Sequence, residues 1–333
     1  MSQFTDQHHP PTPVIHQSKR RRFIEAIGIG AFVLGTAAVL LVAFRNTLTW
    51  HAQKAWGLSG SFWQAQWEIV FDYFNGDAHD MAIIGTGIIT ISIYWLFNIG
   101  LIVLDLSEWQ PLYKYKVQPA EHLDAGRLAR AVCRVVFNQV VVAYPVALFF
   151  YHLSLWRGCD FGRHLPTFTR VLLELFVFVL VEEIAFYYTH RIAHHRLLYK
   201  HVHKIHHEWT APIGIISLYA HPIEHALSNL MPALLGPLLC GSHISTAWLW
   251  YVLALLSTTF THAGYHFPLM VSPESHDFHH QKFNQNYGVL GVLDRLHGTD
   301  TLWRESKEFQ RHFLLLSLKP AREIVPDDAK ERK

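Results

Sequence analysis

The chain's chemistry is carried by histidine. It has 25 histidines in 333 residues, and 16 of them lie between residues 190 and 297. They come in short groups: His190, His194 and His195; His203, His206 and His207; His262 and His266; His276, His279 and His280. Neutral imidazole is the commonest metal-ligating side chain. On a helix, residues three and four apart share a face, so His190 with His194, or His203 with His206 or His207, can converge on one ion. One such pair is weak evidence, since a single histidine is usually a satisfied polar group. Four groups exceed one four-ligand structural site and suit two metals. The zinc-protease pattern needs Glu directly after the first His. Here Arg191 follows His190 and Val202 follows His201, so that chemistry is not indicated. Soluble di-iron bundles use Glu-x-x-His pairs, but Ala185 and Phe186 stand third after Glu182 and Glu183. Imidazole accepts Zn, Cu, Fe and Ni, so ligand type alone does not choose the metal.

The elements that must position these groups are apolar. Half the residues are hydrophobic and 16% are charged, against about a quarter charged in soluble domains. That balance points to a membrane protein. The net charge of +2 leaves no nucleic-acid footprint. Cys133, Cys159 and Cys240 lie far apart, without disulfide or zinc-ribbon spacing. Residues 1–22 read as a disordered tail ending in Lys19 to Arg22. Phe23 to Phe44 is apolar apart from Glu25 and long enough to cross a ~30 Å bilayer core. The basic residues before it should stay cytoplasmic. Tryptophans at 56, 63 and 67 read as an interfacial segment. Met81 to Leu104, Val135 to Leu155 and Val171 to Tyr188 are three further spans. The last contains Glu174, Glu182 and Glu183, and carboxylates at that depth face a protein interior or a polar cavity. Ala226 to Leu239 and Ile244 to Phe260 form an apolar hairpin whose first arm, with Pro232 and Pro237, reads as re-entrant. From His262 onward the chain is polar.

The expected fold is an all-α integral membrane protein, a bundle of four or more transmembrane helices with a cytosolic histidine-rich di-metal cap. Four regions follow: the tail 1–22, a transmembrane anchor region 23–170, a catalytic domain 171–305 and a C-terminal tail 306–333.

The stretch HRIAHHRLLYKHVHKIHHEWTAPIG…YAHPIEH, then HAGYHFP, then HDFHH…NYG…DRLHGTD, resembles the membrane-bound fatty acid hydroxylase/sterol desaturase superfamily, and within it the C4-methylsterol oxidase branch. The resemblance covers roughly Glu174 to Arg304. It implies ten metal ligands: His190, His194, His203, His206, His207, His262, His266, His276, His279 and His280. It also implies two Fe ions, O2, and electrons from NAD(P)H through cytochrome b5 and its reductase, at the endoplasmic reticulum membrane with the cap in the cytosol. The reaction implied is stepwise methyl oxidation of a 4-methylsterol. The rivals are fatty acyl or sphingolipid hydroxylation, and a membrane scaffold that keeps the metals without turnover. His221, His225 and Asp277 are read as groups that orient ligand histidines. His195 is read as an outer or exposed residue. Asn286, Asp294 and Thr299 match the family's closing pattern, and His201 and His297 are read as incidental. Two features depart from the family: Asp often stands where this chain has His266, and the connection from His266 to His276 is short.

Overall fold

A computed structural model describes residues 57–118, 123–270 and 272–327, together with positions 35, 36, 39, 50, 51 and 54. The chain divides into two units, residues 1–65 and 66–333. In the first, residues 57–65 are helical. The expected span Phe23 to Phe44 lies largely outside the described residues. The second unit is all-helical among its described residues, with two isolated bridges and no strand.

Five long helices build the second unit. These are α1 (Ala78–Ser107), α2 (Ala125–Arg157), α3 (Phe168–Ala193), α4 (residues 222–240) and α5 (Ile244–His262). Of these, α1, α2 and α5 are long and apolar enough to cross a membrane. The 26 residues of α3 include Glu174, Glu182 and Glu183, which set it apart from those three. Its carboxylates are accommodated by the protein. Glu174 takes a hydrogen bond from Arg170 Nε at 2.7 Å, Glu183 is buried, and Glu182 lines a cavity described below.

Local chemistry sets the helix ends. Asp124 caps α2 by accepting from the Arg127 amide, so the helix starts ten residues before the expected Val135. Thr167 caps α3 and His243 caps α5 in the same way, as N-caps do. Three π-helical turns interrupt the helices: Met81–Gly85 in α1, Asn138–Val142 in α2 and His225–Leu230 in α4. Such turns are rare and gather at functional sites.

Packing orients the helices. Trp248 Nε1 donates to Thr86 Oγ1 at 2.8 Å, and Phe97 meets Phe260 one end further along, so α1 and α5 run parallel. Phe178 of α3 lies on Gly236 of α4, where a Cβ would fall 2.8 Å from the ring. Trp67, expected at an interface, is instead buried against Trp248 and His243, with its indole N–H on the Gly162 carbonyl. Residues 211–220 are buried throughout without forming a long helix. A buried loop needs partners for its backbone groups. Tyr94 donates to the Ile215 carbonyl, and Asn138 Nδ2 to those of Leu218 and Ala220. That loop carries the chain from the second histidine group to α4.

Candidate metal centre

The histidines meet where α3 and α5 end and the short helix α6 (Glu274–Lys282) begins. Two groups form. His190, His194, His203, His207 and His279 make one; His206, His262, His276 and His280 make the other. Within each group the ligand-type nitrogens lie within 4.8 Å of one another. In the runs 203–207 and 276–280 the i and i+4 residues share a centre, and the residue between them serves the other. His203 and His207 join the first group while His206 joins the second; His276 and His280 join the second while His279 joins the first.

Hydrogen bonds at the far side fix the tautomer or orientation of six of the nine rings. Nδ1 of His190, His206, His262, His279 and His280 faces the carbonyls of Tyr287 (2.8 Å), Tyr219 (3.1 Å), Thr258 (2.7 Å), Gln285 (2.6 Å) and Trp209 (2.9 Å). Carbonyls only accept, so these Nδ1 atoms carry the proton and each Nε2 presents a lone pair. Nδ1 of His203 meets the Glu224 carboxyl at 2.6 Å, the carboxylate–histidine arrangement common behind metal ligands. Burial pushes His203 down to about 3 and His206 to about 4, and holds His207, His276, His279 and His280 well below the ordinary value. The rings are therefore neutral at pH 7.

Converging lone pairs repel unless a cation sits among them. Neighbouring Nε2 atoms in the first group stand 3.0 to 3.2 Å apart in five pairs. In the second, three neighbouring pairs stand 2.8 to 3.4 Å apart. With a metal–nitrogen length of about 2.1 Å, ligands at right angles stand about 3.0 Å apart. Donor type, tautomer, charge state and spacing all fit two first-row metal ions.

Nine of the ten expected ligands are thus brought together, and His266 is not. Its Nε2 donates to the Phe313 carbonyl at 2.9 Å, and its Nδ1 lies 3.7 Å from Glu274. After His262 the helix stops. Val117 N–H bonds the Gly264 carbonyl and His266 N–H the Tyr115 carbonyl, so His262 and His266 no longer share a helical face.

His221, His225 and Asp277, expected to orient ligand histidines, have other hydrogen-bond partners. His221 caps α4 by accepting from the Ile223 amide, and His225 faces the cavity. Glu224, between them, is the residue that holds a ligand histidine. Asp277 accepts from Gln118 and Gln281 rather than from an imidazole. His195 is exposed. His297 stacks on Tyr187 and bonds the Tyr188 hydroxyl.

Sequence reasoning missed Glu183. Its carboxylate accepts from the amides of Val289 (2.9 Å), Leu290 (2.7 Å) and Leu293 (3.1 Å). Asp294 accepts from the amides of Tyr287 and Gly288 and from the Thr299 hydroxyl. A Cβ at Gly288 would lie 2.9 Å from Asp294 and 3.0 Å from Glu183. These carboxylates anchor the loop whose carbonyls, at Gln285 and Tyr287, hold His279 and His190. Asn286 joins in, its side chain donating to the Ser275 carbonyl. The only hint in the sequence was a second carboxylate beside Glu182 on a helix leading to His190.

A cavity of about 400 Å³ lies among α1, α2, α3, α4 and α5. Its lining is mostly apolar, and all three π-helical turns contribute to it through Ile83, Val140 and Asn229 among others. Two lining residues reach the histidine cluster. Phe186 packs on His190 at 5.0 Å, and the Thr258 carbonyl holds His262. On its other flank, Ile91, Val140 and Tyr144 are both lining and exposed, so the cavity opens sideways between α1 and α2. Glu182 faces the cavity, with Oε2 buried and without a hydrogen-bond partner.

A family model described as Fatty acid hydroxylase matches residues 175–299. Human "Fatty acid hydroxylase domain-containing protein 2" is 48% identical over 303 residues, which is 90% of this chain and 91% of that one. The chain belongs to the fatty acid hydroxylase family. The match takes in His190 to His297 and hence both histidine groups. Other family relatives include "Fatty acid hydroxylase ahd1" of Mycosarcoma maydis, 36% identical over 71% of this chain and 62% of its own. "Methylsterol monooxygenase 2-2" of Arabidopsis thaliana is 31% identical over 76% of this chain and 97% of its own. No solved structure matches the chain.

Proposed function

We propose that the chain is an O2-dependent lipid monooxygenase with two iron ions. One sits on His190, His194, His203, His207 and His279, the other on His206, His262, His276 and His280. The observation that carries this reading is that nine neutral imidazoles converge at the end of an apolar, sideways-opening cavity. When bound, the ions supply O2 activation and attack on an unactivated C–H bond. The backbone carbonyls and Glu224 keep Nε2 of His190, His203, His206, His262, His279 and His280 unprotonated and aimed. Phe186 and the buried 211–220 loop keep water from the cavity end of the centre. The flank at Ile91, Val140 and Tyr144 admits a lipid from the bilayer, and the mostly apolar cavity walls align it.

The substrate in this reading is a 4-methylsterol, one methyl group of which goes to alcohol, aldehyde and acid. Support comes from the residue pattern of the histidine groups and from the methylsterol monooxygenase relative, matched over 97% of its length. Each step uses one O2, two electrons and two protons. The electrons come from NAD(P)H through cytochrome b5 and its reductase. Four or more spans, α3 among them, hold the chain in the endoplasmic reticulum membrane with the histidine cap in the cytosol, and residues 171–305 form the catalytic portion.

The test is turnover by the purified full-length protein in nanodiscs with iron, O2, NADH, cytochrome b5, its reductase and a 4-methylsterol, followed by mass spectrometry. We expect the alcohol, aldehyde and acid in succession, and loss of all three in His206→Ala. An unchanged sterol alongside a hydroxylated fatty acyl lipid would replace the substrate. No oxidation of either by iron-loaded protein would leave a scaffold.

A further inference from the structure

The segment after α6 reads as polar in sequence, yet its outward side is apolar. Val289, Leu290, Val292 and Leu296 are exposed by 49%, 52%, 61% and 73%, while Asp294 among them is 1% exposed. This is amphipathicity turned inside out. The polar side chain points in, to bond the amides of Tyr287 and Gly288, and the aliphatic ones point out. The inward amides of Val289, Leu290 and Leu293 end on Glu183 of α3. Among these side chains Arg295 is the exposed charged group, its guanidinium paired with Asp300 at 2.7 Å.

The face continues a larger one. Along α3, Leu173, Phe176, Leu180, Ile184, Tyr188 and Ile192 are exposed at roughly one-turn intervals. The 289–296 segment is tied to this helix at Glu183 and again where His297 bonds the Tyr188 hydroxyl. Contiguous exposed apolar surface beyond a few hundred Å² marks a contact with a membrane or a partner. Continuity with the outward stripe of a 26-residue apolar helix selects the membrane here.

We infer that residues 289–296 are a membrane-immersed flap, seated in the acyl–headgroup boundary against α3 and covered by lipid. Interfacial segments bury their apolar side about 5–10 Å into that boundary. The flap carries Asp294, which fixes the Tyr287 carbonyl region that holds His190. The metal centre then sits at headgroup depth, and a lipid reaches it without leaving the bilayer. The inference rests on α3 being a membrane span.

The experiment uses the full chain with Cys133, Cys159 and Cys240 replaced by Ser. It carries the fluorophore NBD at Leu296→Cys or, separately, at Phe176→Cys on α3. Each is placed in phosphatidylcholine nanodiscs containing lipids brominated near the headgroup or deep in the chain, with NBD-cysteine in buffer as the aqueous reference. We expect both labels to emit to the blue of the reference. The label at 296 should be quenched best by shallow bromines and that at 176 by deep ones. Quenching at 176 with none at 296 overturns the flap and leaves the span standing. A blue-shifted but unquenched 296 means that protein, such as a second copy, covers it, and also overturns the flap. Quenching at neither position removes the span and the flap together. Should Leu296→Cys fail to fold, Val292→Cys reads the same face.

Discussion

Glu224 and the carbonyls behind the histidines decide what the imidazoles can do. A free histidine presents either nitrogen, and a cluster of free histidines has no preferred way to point its lone pairs. Here five Nδ1–H groups are committed to carbonyls and a sixth nitrogen to Glu224. The Nε2 of each of these rings is left as an acceptor, and where several converge a shared cation satisfies them together. Glu224→Ala leaves the His203 Nδ1 buried and unpaired, and the ring loses its orientation. Outer partners of metal ligands are typically worth about 10–100-fold in metal affinity. Iron titration into chelator-stripped Glu224→Ala should show a loss of that size, and titration identical to the native protein would remove Glu224 from this role.

At the level of elements, the loop after α6 is held by two carboxylates that are remote in sequence. Glu183 lies about a hundred residues before the amides it binds. An unpaired buried donor costs about 1–3 kcal/mol, so Glu183→Ala, which frees three of them, should cost about 3 kcal/mol or more. Thermal unfolding in detergent should record this as a lower midpoint. Amide exchange should quicken selectively over residues 284–299, and unchanged exchange there would refute the anchoring role. The π-helical turns belong to the same scale. Each places one extra residue in a turn, and all three do so at the cavity wall, where a regular helix would leave a different lining.

For the whole molecule, nine imidazoles gathered in a dry interior link stability to pH. In the unfolded chain a histidine titrates near 6.5; in the metal-free fold, burial lowers His203 to about 3 and His206 to about 4. Above about pH 6.5 neither state takes up the proton, so these groups leave stability constant. Below it the unfolded chain is protonated and the fold is not, so stability falls as pH drops toward the folded values. The slope is about 1.4 kcal/mol per pH unit for each such histidine. Chelator-stripped protein should therefore show a flat melting temperature above pH 7 and a steep fall below about pH 6.5. A melting temperature that held constant down to pH 5 would show the clustered histidines to be solvated. Residues from Ile83 to Ala147 make up much of the cavity.

Histidine spacing by itself determined that a two-metal centre was to be expected, since side chains three and four apart on one turn must point the same way. The apolar runs from Met81 and Val135 likewise foretold helices able to cross a membrane, because that reading needs only length and the absence of charge. Spacing could not sort the ligands between centres. His206 and His207 are adjacent in sequence yet join different groups, and His266 keeps the i+4 spacing but leaves the site because backbone pairing to Tyr115 ends the helix. Nor could it find Glu183, Glu224 or the outward apolar side of residues 289–296. Their partners are backbone groups brought near only when α3, α4 and the loop after α6 pack together. Local pattern fixes which way neighbouring side chains point; tertiary contact fixes what they meet.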